Sequence, residues 1–257
     1  MKMIYNFFKK RGVELIYMGE CHYEVEIPEK IMGEKVRIES IGPSAFRGRV
    51  NVKEICLPTS IKRIEENAFS SCSSLRHIIF ADPSNLKTIG KAAFNHCSSL
   101  KIVQIPDSVE TIEWGAFNES GVEKIIFTPN SKLTEMCSGA FSGCKNLQSI
   151  TIPKGVVELP PFLFTGCSSL KEIKFMEGSN LRIIKGQAFE RCPNLKRLVL
   201  PNRYIKLEDG AFLGSDIEEL VVHPSMSYYF KNTYTFLYSS VKRVFSTIDR
   251  GLLYLKP

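Results

Sequence analysis

No stretch of this sequence approaches the roughly 18 consecutive apolar residues that a membrane-spanning helix needs, which excludes a helical span. The opening residues, MKMIYNFFKKRG, hold an apolar run only from Met3 to Phe8, interrupted by Asn6. That is shorter than the roughly 7–15 residues of a signal-peptide core, and no small-residue cleavage site follows, so a conventional secretory signal is not expected. Catalytic signatures are missing as well: there is no G-x-S-x-G, H-E-x-x-H, Walker loop or G-x-G-x-x-G. The four histidines, His22, His77, His96 and His223, are scattered. A hydrolase would need a convergent nucleophile and base, and none is visible. No C-x-x-C pair exists, and Cys21-His22 and His96-Cys97 are the only Cys/His neighbours, so neither a metal site nor a cofactor is expected. Net charge is only +7, from 34 basic and 27 acidic residues, without a basic tail. Nucleic acid is a poor partner, since no aromatic row interleaves the basic residues.

With 44% hydrophobic and 24% charged residues, the composition is that of a globular protein rather than a disordered one. What stands out is a repeat. Ala-Phe recurs at Ala45-Phe46, Ala68-Phe69, Ala93-Phe94, Ala116-Phe117, Ala140-Phe141, Ala188-Phe189 and Ala211-Phe212, with Leu163-Phe164 in the remaining slot. Five residues before each Phe stand Ile41, Ile64, Ile89, Ile112, Met136, Leu159, Ile184 and Leu207. Eight before it stand Ile38, Ile61, Leu86, Val109, Leu133, Val156, Leu181 and Tyr204. After it comes a short alternating run rich in Ile, Val and Phe, such as Leu147-Gln-Ser-Ile150-Thr-Ile152, which reads as a strand with one buried face. Successive phenylalanines lie 23, 25, 23, 24, 23, 25 and 23 residues apart. Strands ending in Phe80, Phe127 and Phe175 are followed by five residues before the next apolar anchor. Those ending in Leu57, Ile105, Ile152 and Leu200 are followed by three, beginning with Pro58, Pro106, Pro153 and Pro201.

One such unit cannot bury its apolar face alone, whereas stacked units bury a continuous core. The expected fold is a single solenoid of about nine coils. Each coil of 23–25 residues holds one parallel strand, with a short irregular or 3₁₀ segment on the opposite side. Residues 1–22 are expected to cap one end, 23–222 to form the repeats, and 223–257 to cap the other end. The last segment carries Tyr228, Tyr229, Phe230, Tyr234, Phe236 and Tyr238, then strand-like runs at 241–245 and 251–255.

Of eight cysteines, five (Cys72, Cys97, Cys144, Cys167 and Cys192) occupy the position three after the Phe. In a solenoid they form a file with parallel Cβ vectors, which leaves the Cβ atoms farther apart than the usual ~3.5–4.5 Å of a disulfide. Buried reduced thiols, weak donors to turn carbonyls, are expected instead. Asn118-Glu119-Ser120 is a glycosylation sequon, but Ser120 falls in that buried file.

The exposed positions of the strands form the candidate partner surface. One row holds Lys53, Arg76, Lys101, Glu123, Gln148, Lys171, Lys196, Glu218 and Lys242. A second holds Cys56, Ile79, Gln104, Ile126, Thr151, Lys174, Val199 and Val221, and the position between adds His77, Lys124 and Arg197. A basic row beside β-branched residues suits an acidic protein segment or an anionic glycan, with exposed charges acting mainly on encounter rate and specificity. The candidate binding residues are Arg76, His77, Ile79, Lys101, Gln104, Lys124, Ile126, Lys171, Lys174, Lys196, Arg197 and Val199.

The pattern L-x-x-I-x-[IF]-P-x-x-[VL]-x-x-I-x-x-x-A-F-x-x-C resembles the BspA-type leucine-rich repeat, also called the Treponema pallidum type. It covers about residues 23–222, with Val25–Phe46 similar to that family's opening repeat. Arg49, Ser120 and Ser215 depart from it at the Cys position and Leu163 at the Ala position. The resemblance implies a leucine-rich-repeat horseshoe or gently curved solenoid. It also implies a non-enzymatic, adhesin-like protein at the cell surface or secreted, binding host matrix proteins or neighbouring cells. The alternative expectation is an intracellular (cytoplasmic) scaffold that uses the same face.

Overall fold

The computed structural model describes residues 8–11, 14–17, 24–30, 37–202, 204–226, 243–246 and 252–255. At the two ends lie β1 (Phe8–Arg11), β2 (Glu14–Tyr17), β20 (Arg243–Ser246) and β21 (Leu252–Leu255). Between them each coil contributes a longer and a shorter strand. The longer ones are β3 (Glu24–Glu26), β5 (Glu54–Leu57), β7 (His77–Phe80), β9 (Ile102–Gln104), β11 (Lys124–Ile126), β13 (Ser149–Ile152), β15 (Glu172–Phe175), β17 (Arg197–Val199) and β19 (Glu219–Val222). The shorter ones are β4 (Ser40–Ile41), β6 (Arg63–Ile64), β8 (Thr88–Ile89), β10 (Thr111–Ile112), β12 (Glu135–Met136), β14 (Glu158–Leu159), β16 (Ile183–Ile184) and β18 (Lys206–Leu207). Within each series every hydrogen-bonded pair is parallel and joins successive coils. The chain is therefore the parallel-strand solenoid that its repeat predicts.

Alternation decides which residues point inward. Ile55, Ile78, Val103, Ile125, Ile150, Ile173, Leu198 and Leu220 at the strand centres are all buried, and so are the anchors five residues before each Phe. The eight repeat phenylalanines are fully buried and stack ring on ring, with centroids 5.1–5.8 Å apart and planes within 19° of parallel. Offset stacking of this kind adds about 0.5–1.5 kcal/mol per pair beyond the area buried. One expected anchor is displaced: Tyr204 is 72% exposed, and its neighbour Ile205, at 3%, fills the slot. An aliphatic side chain fits a file otherwise made of Ile, Leu and Val, and a phenol there would bury its hydroxyl.

The side of the coil away from the longer strands is more regular than the sequence suggests. There the expected short irregular segment is a two-residue strand followed by a turn around each Phe, and the turns form a third ladder. Residues two before and two after the Phe have φ between 51° and 72° in every coil, from Ser44 and Gly48 to Gly210 and Gly214. Nine of these sixteen left-handed residues are not glycine, among them Ala92, Phe162 and Gln187. Each such residue costs roughly 1–2 kcal/mol. The offset is hydrogen bonding. The Phe46 amide donates to the Ala68 carbonyl (2.7 Å), that of Phe69 to Ala93 (2.8 Å), and so on without interruption to Phe189 and Ala211 (2.9 Å).

The two strand ladders are interrupted. From β5 to β17, coils whose strand runs into proline (Pro58, Pro106, Pro153, Pro201) alternate with coils whose strand runs into phenylalanine (Phe80, Phe127, Phe175). β5/β7 and β13/β15 pair over four residues, and β9/β11 and β17/β19 over three. β11/β13 keeps two, while β7/β9 and β15/β17 have none. At each weak junction the residue that would donate to the preceding coil's last strand carbonyl is a proline: Pro106 toward Phe80, Pro153 toward Phe127, Pro201 toward Phe175. At the strong junctions a donor is present, as in Ala81 to Leu57 (2.9 Å) and Met176 to Ile152 (3.0 Å). The shorter ladder breaks elsewhere, between β12 and β14. There Pro160 occupies the place from which Cys137, Lys185 and Glu208 donate in their own coils.

At the ends, β1 and β2 form an antiparallel hairpin that joins β4, and β20 continues the longer ladder from β19 before β21 reverses it. The aromatic residues from Tyr228 to Tyr238 and Lys242 lie outside the described residues.

Candidate partner-binding face

The longer strands bring the candidate residues together on one face. Register places His77 opposite Glu54, Ile102 opposite Lys124, Lys124 opposite Ser149, Ser149 opposite Glu172, and Arg197 opposite Glu219. Two residues along, Ile79 sits opposite Cys56, Gln104 opposite Ile126, Thr151 opposite Lys174, and Val199 opposite Val221. Eleven of the twelve candidates are exposed; Ile126 is half-buried. Val221, read from the sequence as part of the exposed row, is buried at 8%. Ile102 was missed as a candidate although it is 56% exposed. It occupies the same register position as His77 and Lys124, and that equivalence was the signal available in the sequence.

Charge on this face is partly compensated. Lys101 pairs with Glu123 (2.8 Å), Lys174 with Glu172 (3.0 Å), Lys196 with Asp216 and Glu218, and Arg197 with Glu219 (3.3 Å), which also holds Arg243 (3.4 Å). Arg76, Lys124 and Lys171 have no acidic partner among the described residues. Around the shorter strands, pairing is denser. Lys62 meets Glu39 (2.7 Å), Lys87 meets Glu110 (2.5 Å), Arg63 bridges Glu65 and Glu113, and Lys91 reaches Glu66 (2.9 Å) while lying over the Trp114 ring. Lys185 sits between Glu158 and Glu208, and these carboxylates, Glu158 foremost, raise its pKa. Burial pushes the Glu208 carboxyl up, but the Gly186 amide and Lys185 outweigh it and leave the pKa lowered.

The cysteine file is buried and free of disulfides. Each thiol donates to the Phe carbonyl of the preceding coil: Cys72 to Phe46 (3.0 Å), Cys97 to Phe69 (3.1 Å), Cys144 to Phe117 (3.0 Å), Cys167 to Phe141 (3.1 Å) and Cys192 to Phe164 (3.1 Å). Ser215 makes the same bond to Phe189, which explains why Ser can replace Cys there. Burial pushes the thiols of Cys72, Cys144 and Cys192 up to about 12, and those of Cys97 and Cys167 well above the usual range. They are fixed as neutral structural donors. His96, by contrast, points outward to Glu119 (3.3 Å), so it diverges from Cys97. Among the described residues no three His, Cys, Asp or Glu side chains gather as a metal site. No helix among them is long and apolar enough to cross a membrane.

Two grooves open at the interrupted β7/β9 junction. One of about 520 Å³, at the start of the strands, is lined by Arg76, His77, Ser98, Ser99, Lys101 and Ile102. The other, about 590 Å³ at the strand ends, includes Ile79, Asp82, Gln104 and Asp107 in its wall.

A stacked parallel coil with a buried Phe and Cys in fixed slots defines a class, the leucine-rich-repeat solenoids of short period. Residues 20–137 and 121–242 match the family described as "BspA type Leucine rich repeat region (6 copies)", and the chain belongs to that family. Among solved structures, it is similar to the T. pallidum leucine rich repeat protein, with 26% identity and a TM-score of 0.64, over 83% of this chain and 89% of that one. A leucine-rich repeat protein from Bacteroides ovatus is also 26% identical, with a TM-score of 0.71, over 95% of this chain and 64% of that one. A leucine rich cell surface protein from Faecalibacterium prausnitzii, 22% identical with a TM-score of 0.59 over 97% of this chain and 56% of that one, shares the fold. No curated protein sequence matches the chain.

Proposed function

We propose that the chain is a non-enzymatic recognition protein that binds a protein or an anionic glycan through the face of its longer strands. One observation carries this reading. Arg76, Lys124 and Lys171 stand without acidic partners among the described residues, on the same face as exposed Ile79, Ile102 and Val199. Leaving both unpaired cations and large apolar side chains in water does nothing for the fold, and it suits a partner that supplies anions and apolar surface together. Membership in the BspA-type family supports an adhesin-like role at the cell surface or outside the cell.

The test is affinity capture with the wild-type chain and with R76E/K124E/K171E, using K62E/K206E on the other side as the control. Loss of the captured partner with the first variant alone supports the reading; equal capture by all three sinks it. The second reading is an intracellular scaffold using the same face, favoured by the free state of all seven described cysteines. Labelling intact cells with an impermeant amine reagent separates the two, since protection of the chain would rule out a surface location.

A further inference from the structure

We infer that the β7/β9 junction is the partner-binding centre of the strand face, and that it takes a short extended protein segment carrying carboxylates next to aliphatic side chains. The inference rests on the strand-face reading and narrows it to one place and one chemistry.

Three observations converge at this junction. First, no backbone hydrogen bond joins β7 to β9, so the solenoid surface opens there into the two grooves instead of closing as it does at β9/β11. Second, the first groove is basic. Among the described residues Arg76 has no acidic partner and Lys101 pairs with Glu123, while Lys124, also without one, stands one strand away. The Ser99 hydroxyl in its wall adds a donor suited to a carboxylate, whereas that of Ser98 donates to the Ser73 carbonyl (3.3 Å). Third, Ile102 and Ile79 are 56% and 47% exposed on the two strands that flank the opening, so an apolar side chain can be seated directly beside the bound anion.

The far end of the junction decides between ligand classes. Asp82 and Asp107 outnumber Lys132 in the wall of the second groove, so a polyanion laid along the junction would leave the cations and meet net like charge. A sulfated glycan also has little apolar surface to place on Ile79 and Ile102, and no Phe, Tyr or Trp is among the residues lining the first groove to stack against a sugar ring. A peptide alternates its side chains along an extended backbone, and it satisfies the basic and the apolar positions together.

Selection of an unbiased library of displayed 12-residue peptides on the full chain tests this. The expected outcome is enrichment of sequences with Asp or Glu beside Val, Ile or Leu. Their binding should weaken at least ten-fold with R76E/K101E and with I79S/I102S, weaken less with K171E/R197E at the other end of the face, and stay unchanged with K62E/K206E on the opposite side. Circular dichroism melts confirm that each variant is folded. Enrichment of peptides without acidic residues, or no enrichment at all, overturns the inference. Acidic peptides that respond only to K171E/R197E also overturn it, while leaving the strand-face reading intact. Indifference to both pairs removes both readings. Preference of the chain for a heparin-type oligosaccharide over every selected peptide, sensitive to R76E/K101E, would replace the peptide by a glycan.

Discussion

The same coil presents two different exteriors. On the longer strands, side chains alternate between cations, carboxylates and bare aliphatics, and Arg76, Lys124 and Lys171 have no acidic partner among the described residues. Around the shorter strands and the Phe turns, ion pairs link neighbouring coils, as in Glu39–Lys62 and Lys87–Glu110. Both exteriors rest on one core, so the difference does not come from folding. Exposed pairs are worth little each, about 0–1 kcal/mol, so they add little to the fold. The ladders differ in the same sense. The longer-strand ladder is interrupted at β7/β9 and β15/β17, the shorter at β12/β14, and the turn ladder nowhere. No junction loses both strand ladders, so an opening on one side is held shut on the other.

The comparison can be broken most severely through what the two sides share. Phe117→Ala should destabilise by about 3–5 kcal/mol in a denaturant titration, because a fully buried ring stacked on both neighbours leaves a cavity. A loss of less than 1 kcal/mol would mean that the Phe file is not the core. Next in size is alkaline pH. A thiol whose pKa rises from 9.0 to about 12 on folding ionises more readily when unfolded, so its contribution is complete below pH 9 and is lost as pH rises toward 12. Each buried thiol should remove up to about 1.4 kcal/mol per pH unit in that window. The stability of C144S should decline less steeply with pH than that of the wild type, and parallel slopes would contradict the burial.

Glycine scanning separates the sides. Gln187→Gly, at φ 62° in the turn ladder, should stabilise by about 0.5–1 kcal/mol, as the left-handed cost outweighs the added chain entropy. Gln148→Gly, just before β13, should destabilise by about as much. Smallest of all, Lys101→Ala and Lys171→Ala should each change stability by less than about 0.5 kcal/mol. A larger loss at Lys171 would show that the unpaired cations serve the fold.

The architecture was readable because every buried slot repeats. The Phe, the anchor five before it and the Cys three after it each occupy one environment, and a solenoid is the arrangement that makes those environments equivalent. Tyr204 misled because periodicity alone counts residues, whereas the fold shifted by one to bury Ile205. The turn ladder went unseen for a different reason. Its signal was a scatter of glycines, Gly48, Gly115, Gly139, Gly143, Gly166, Gly210 and Gly214, diluted by nine residues that accept the left-handed region at a cost. The alternation of Pro-ended and Phe-ended strands was visible, but the gap at β7/β9 was not. It follows from a missing donor in one coil meeting an acceptor in another, and a pattern read one unit at a time does not juxtapose them. For the same reason the unpaired state of Arg76 was out of reach, since ion pairing depends on which side chains face each other across coils.

The proline alternation has a consequence for how such a chain can grow. Adding or deleting a single turn between β5 and β17 would set two like neighbours side by side and shift the order of strong and weak junctions downstream. Adding or deleting two together, as a block of about 48 residues, restores the order. Variation in length among chains built this way should therefore proceed in duplets, with each duplet bringing one more proline-weakened junction along the flank.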